Sequence, residues 1–131
     1  MIEVFSPPRV GLWTKAFGLG EHAELDRRTV DGEGTRWDFD CPKRSNYSLA
    51  LVRAEQPALI IGSPECTAFS CIQNLNQHNI RDPGQRQEQM QKAREHLIFS
   101  TCLYIEQVRA GRLFLHEHPA QASSWSEGCV Q

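Results

Sequence analysis

The sequence has no stretch approaching the ~20 consecutive apolar residues of a membrane span. It also has no internal repeat and no low-complexity segment. Nor does one charge dominate: fourteen Lys and Arg stand against sixteen Asp and Glu, a formal net charge of −2. That balance excludes a polybasic binder acting by bulk charge, and confines any nucleic-acid contact to a local patch. Cysteine occurs five times but never as a Cys-x-x-Cys pair, so no metal site is expected. The opening Met1-Ile2-Glu3-Val4-Phe5 has neither the basic nor the apolar region of a secretory signal. Reduced thiols in an intracellular compartment, the nucleus in a eukaryote, are the expectation.

What is present suits one core. The chain has 131 residues, 40% of them hydrophobic and 23% charged, and is read as a single domain over 1–131. Residues 2–5 form a β-prone run stopped by Ser6-Pro7-Pro8. Val10, Trp13 and Phe17 recur at the spacing of a short helix, with Gly18 or Gly20 to end it. Residues 23–26 read as a second strand ending on an acid, and 35–39 as a third. Ser45 or Asn46 is expected to cap a helix reaching about residue 55, with Leu49 and Val52 inward. The run 58–62 suits a buried parallel strand. A long helix is expected from Asp82-Pro83 to Ala110, its stripe running through Met90, Ala93, Leu97, Thr101, Tyr104, Ile105 and Val108. Leu113-Phe114-Leu115 then reads as another buried strand. Strands alternating with helices predict an α/β fold with a parallel, helix-covered sheet.

In such sheets, ligands bind beyond the carboxyl ends of the strands. Ser6-Pro7-Pro8-Arg9, Ser63-Pro64-Glu65-Cys66 and His116-Glu117-His118-Pro119 each follow a proposed strand, so they should gather at one rim. A cysteine, a carboxylate and histidines there supply a nucleophile with acid/base partners. His116 and His118 are expected to point to opposite faces and to serve packing. A thiol hydrolase using Cys66 with either histidine is one reading of this set. Trp13 and Trp125 read as core or docking residues, and the mixed charges from Arg81 to Glu95 as a solvated helix face.

Gly62-Ser63-Pro64-Glu65-Cys66-Thr67-Ala68-Phe69-Ser70 resembles the nucleophile loop of DNA cytosine-5 methyltransferases, which reads Gly-x-Pro-Pro-Cys-Gln-x-Phe-Ser after an apolar strand. Glu117-His118-Pro119 is similar to that family's Glu-Asn-Val or Glu-Asn-Pro motif, again after an apolar strand. The chain also resembles methyltransferase-like segments of mobile-element polyproteins. The resemblance implies a Rossmann-like parallel sheet with helices on both faces, incomplete at the C-terminal end and lacking a target-recognition domain. It implies Cys66 as the thiolate that attacks a flipped cytosine and Glu117 as the acid that holds the base, with DNA as substrate. S-adenosylmethionine is the implied cofactor, with Phe5, Asp26, Asp38 and Pro64 as its candidate contacts.

The departures are equally visible. Ser6-Pro7-Pro8 stands where the family has a glycine-rich turn, and proline has no N–H to offer a cofactor. Glu65 replaces a proline beside Cys66, where a negative charge opposes thiolate formation. A non-catalytic relic serving as a nucleic-acid-binding or protein-interaction module is the alternative. In either case a shortened sheet leaves an edge for a partner chain or self-association.

Overall fold

A computed structural model of the chain describes residues 1–6, 10–16, 23–70 and 83–131. Four strands, β1 (Ile2–Val4), β2 (Ala23–Leu25), β3 (Leu59–Gly62) and β4 (Leu113–His116), form one sheet in the order β2-β1-β3-β4. Every pairing is parallel, with Ile2 beside Ala23 and Ile60, and Gly62 beside His116. The helices are α1 (Gly11–Ala16), α2 (Pro42–Glu55) and α3 (Pro83–Arg109). Single 3-10 turns cover Thr67–Phe69 and Ser123–Ser126. The α/β class and the parallel sheet expected from the sequence are therefore observed. The chain steps from β1 to β2 on one side and returns to β3 on the other. The carboxyl ends of β1 and β3 thus flank the point where the strand order reverses.

Local chemistry explains where the helices begin and end. α2 starts three residues before the expected Ser45 cap, because Pro42 at the first helical position carries a φ already suited to the turn. It ends at Gln56, which is left-handed at φ 45° and donates its N–H to the Val52 carbonyl before Pro57 blocks any continuation. α3 begins at Pro83 as anticipated, while the expected cap Asp82 lies outside the described residues. Its buried face runs through Ala93, His96, Leu97, Ser100, Leu103, Tyr104 and Gln107. Ile105 and Val108, read as part of the stripe, are exposed on its flank.

The main core joins Ile2, Val4, Leu25 and Ile60 of the sheet to Val52 of α2 and Leu103 and Tyr104 of α3. Full burial of such a side chain stabilises by about 1.5–3 kcal/mol. A second cluster sets Leu97 and Ala93 against Phe69 and Ala122. Gln107 shows how a polar side chain tolerates complete burial. Its Nε2 donates to the Pro57 and Leu113 carbonyls at 2.8 and 2.9 Å, and its Oε1 accepts from Arg112 Nε at 2.7 Å.

Three expectations need correction. The stretch 35–39 is not a strand of the sheet: only Arg36 pairs, through an isolated antiparallel bridge to Val30. Asp31 Oδ1 accepts the Glu33 and Thr35 N–H groups at 2.9 Å each, folding a tight turn that delivers Trp37 and Phe39 to the core from a loop. In α1, Trp13 is 65% exposed while Thr14 beside it is buried, so Trp13 does not carry the expected stripe inward. The third member, Phe17, and both candidate stop glycines lie outside the described residues. Finally, β4 is not buried. Leu113 and Leu115 are 69% and 55% exposed, because they share the face opposite Phe114, whose ring stacks on Tyr104 of α3.

Tyr104 of α3 packs closely over Gly62. A Cβ built there would lie 2.0 Å from the Tyr104 hydroxyl oxygen and 2.9 Å from its ring carbon Cζ. Gly62→Ala is therefore expected to lower stability by about 1–3 kcal/mol, the usual cost of overpacking. Tyr104→Phe in the same chain removes the nearest atom and should recover part of the loss. A denaturant titration of the single and double variants checks this, with additive losses as the contrary result.

Candidate functional site

The three segments that follow β1, β3 and β4 do meet at one rim. Parallel register places Glu117 just past the Gly62–His116 pair, where its N–H donates to the Gly62 carbonyl at 2.9 Å. Ser63, one residue beyond β3, donates its N–H to the Val4 carbonyl at 3.0 Å and its hydroxyl to Glu117 Oε2 at 2.9 Å. The Glu117 carboxylate is thus fixed by a partner on the neighbouring loop. Cys66 follows three residues later, half-buried, at the start of the Thr67–Phe69 turn. A cleft of about 430 Å³ is lined by Cys66 and Glu117 together with Phe5, Pro64, Arg28 and His118, among others.

His118 latches the loops together. Its Nε2 lies 2.9 Å from the Pro64 carbonyl, which can only accept, so that nitrogen carries the proton. Its Nδ1 then accepts from the Ser124 hydroxyl at 2.6 Å. Burial lowers the His118 pKa, opposed in part by the Pro64 hydrogen bond and by the Glu117 charge. Contrary to the expectation of opposite faces, the rings of His116 and His118 are 4.8 Å apart. Residues two apart in an extended segment share a face. His116 Nδ1 is hydrogen-bonded to the Tyr104 hydroxyl at 2.9 Å. Its Nε2 is buried without a hydrogen-bond partner, and the Trp125 ring lies edge-on at 5.2 Å. Burial, and secondarily His118, pushes the His116 pKa down to about 4.

Phe5 closes the cleft at the end of β1. It is left-handed at φ 59°, a region that costs a bulky residue about 1–3 kcal/mol. Its N–H is held by the Leu25 carbonyl at 2.9 Å, and its ring packs on Phe39 at 4.5 Å and on His96 at 5.0 Å.

Four of the six residues singled out from the sequence, Cys66, Glu117, Phe5 and Pro64, line this cleft. Asp26 and Asp38 do not. Asp26 sits just past β2 but is only 7% exposed, and its Oδ1 accepts both the N–H and the Nε–H of Arg28, at 2.9 and 3.0 Å. Asp38 is exposed and accepts the Asp40 N–H at 3.1 Å. Sequence reasoning missed Arg28 and Ser63. Ser63 was within reach, because register puts it beside Glu117. Arg28 had no such signal, since only the turn after β2 carries it to the rim. A neighbouring cleft of about 300 Å³ shares Glu65 and Thr67 and adds Arg27, Asp40, Lys92 and His96. His96 Nε2 lies 2.8 Å from Asp40 Oδ1 there, and Arg27 pairs with the other Asp40 oxygen at 2.8 Å.

No protein-family model, no curated protein and no solved structure matches the chain. Among the described residues there is no group of His, Cys, Asp and Glu able to hold a metal ion. No helix among them is long and apolar enough to cross a membrane.

The His116 shift has a stability consequence with a definite sign. The folded-state pKa, about 4, lies below the ordinary 6.5, so protonation favours unfolding. The stabilisation is complete above pH 6.5 and fades as pH falls toward 4. A pH series of thermal midpoints should show a decline through that window that is shallower in His116→Gln. An unchanged slope in the variant would show that His116 does not contribute.

Proposed function

We propose that the Cys66–Glu117 cleft is a pyrimidine-binding site of the DNA cytosine-5 methyltransferase type, on a Rossmann-like sheet. The observation that carries this reading is the convergence of Cys66 and Glu117 on one cleft, with Ser63 orienting the carboxylate. The strand order, with its reversal between β1 and β3, supports it as well. In this reading a cytosine leaves the base stack of DNA and lies flat between the two loops. The Cys66 thiolate lone pair forms the S–C6 bond. The C5–C6 π electrons move through the ring toward N3, where a proton from the Glu117 carboxyl takes up the charge. Reversal breaks S–C6 and returns that proton. Glu117 Oε2 is held by Ser63, so Oε1 is the oxygen left to face the base.

S-adenosylmethionine is the methyl donor this reading implies, with Asp26 and Asp38 to contact its nucleoside. As arranged, the residues do not fit it. Arg28 occupies Asp26 Oδ1, and Asp38 is turned into its own loop. That same contact favours the second reading, a non-catalytic module that keeps the base and nucleic-acid surface. In both, the outer edge of β4, with Leu113 and Leu115 exposed, is where a strand from a partner chain or a second copy would extend the sheet.

A donor-independent probe separates the two. An oligonucleotide with 2-pyrimidinone in place of cytosine takes up a thiolate at C6 without methyl transfer. Mass spectrometry is expected to show a covalent adduct with the native chain and none with Cys66→Ser. Glu117→Gln should slow its formation by about 10²–10⁴-fold, the usual contribution of a positioned acid. Binding of the oligonucleotide with no adduct would leave the non-catalytic module as the function.

A further inference from the structure

We infer that Arg28 is an anion-binding residue of the rim cleft and that the group it takes is a phosphate of the nucleotide whose base the cleft receives. This deepens the proposed function and rests on it for the identity of the ligand. Arg28 is the only arginine or lysine among the described residues that line the cleft with Cys66 and Glu117. The other ionisable groups there are the Cys66 thiol, the carboxylates Glu65 and Glu117, and His118, which is engaged at both ring nitrogens.

The guanidinium is held rather than free to wander. Asp26 Oδ1 accepts from both the backbone N–H and Nε of Arg28, at 2.9 and 3.0 Å, while Asp26 itself is buried. Fixing Nε leaves the opposite end of the planar fork, the two Nη groups, for a second acceptor. That pair of parallel N–H donors matches two oxygens of one phosphate. The Arg28 side chain is 69% exposed although its Nε is tied down, so its end faces solvent and the cleft. The neighbouring cations differ in this respect. Arg27 is taken up by Asp40 at 2.8 Å, and Lys92 by Glu88 at 3.0 Å. Asp26 thereby serves the site through Arg28, as an orienting carboxylate rather than as a ligand contact.

The test compares deoxycytidine, dCMP and inorganic pyrophosphate as ligands of the full chain, followed by NMR titration. In the native protein dCMP is expected to bind about tenfold more tightly than deoxycytidine, the scale of one hydrogen-bonded charge pair. Pyrophosphate should move the Arg28 Nε–H resonance. Arg28→Ala should abolish both effects and Arg28→Lys should retain part of the dCMP advantage, with thermal midpoints reported for each variant. Equal binding of dCMP and deoxycytidine in the native protein would overturn the inference, as would a dCMP advantage that survives Arg28→Ala. Pyrophosphate binding that needs Arg28, with no binding of deoxycytidine and none of dCMP beyond its phosphate, would uphold the anion site and overturn the base-binding reading.

Discussion

The register that sets Gly62 beside His116 is the constraint on which both core and cleft depend. Because β1, β3 and β4 run parallel, all three release their chains at the same end of the sheet. Residues one step beyond the last pairs therefore become neighbours: Ser63 reaches back to Val4 and across to Glu117. Slipping β4 by one residue would exchange its two faces. Phe114 would lose its stacking on Tyr104, 4.6 Å between ring centroids, and Glu117 would leave Ser63. Gly62 has a second duty in the same place, since its missing side chain admits the Tyr104 ring. Tyr104 in turn holds His116. Helix packing, strand register and the position of the carboxylate are thus consequences of one contact region.

The aromatic group behind the cleft answers a different problem, the exit of the chain from β1. A phenylalanine at positive φ is strained, and about 1–3 kcal/mol must be offset by what surrounds it. Phe39 and Phe99 lie 5.1 Å apart and both pack against Phe5, Phe39 tilted at 4.5 Å and Phe99 edge-on at 6.2 Å. Aromatic pairs of this geometry each contribute about 0.5–1.5 kcal/mol beyond the area they bury. The loop that carries Phe39 therefore supports the site although it adds no strand to the sheet.

How much of this was legible in the sequence differs by element, for physical reasons. β3 and α3 declared themselves because burial on one side leaves a run or a period that composition preserves. The convergence of the Cys66 and Glu117 loops was legible too, since it follows from two apolar strands that end alike. β4 was misread because an apolar run does not say whether both faces of a strand are covered: Phe114 meets Tyr104 of α3, while Leu113 and Leu115 on the other face stay exposed. The stretch 35–39 has strand-like composition, but Asp31 and Gly34, at φ 77°, turn the chain and leave its apolar side chains to pack as a loop. Arg28 was invisible because its place depends on a two-residue hydrogen-bonded turn with Asp26, which leaves no periodicity.

Volume alone would have chosen another site. A larger groove, about 540 Å³, lies beside β4; Ile105, Val108, Phe114, Trp125 and Val130 line it, with Tyr104, Arg109, His116 and Cys129 among the polar and reactive groups at its wall. His116 spends Nδ1 on Tyr104 there, and its depressed pKa keeps it neutral at ordinary pH. Arg109 and Cys129 also reach this groove, but no carboxylate among the described residues lines it beside them. The smaller cleft at the strand ends brings together a thiol, an oriented carboxylate and an anchored guanidinium, each held by a different segment of the chain. Reactivity depends on how such groups are convened, and a parallel sheet convenes them at its carboxyl rim. The polar cleft is accordingly where this fold gathers its oriented reactive groups, and the groove beside β4 is lined mainly by apolar side chains.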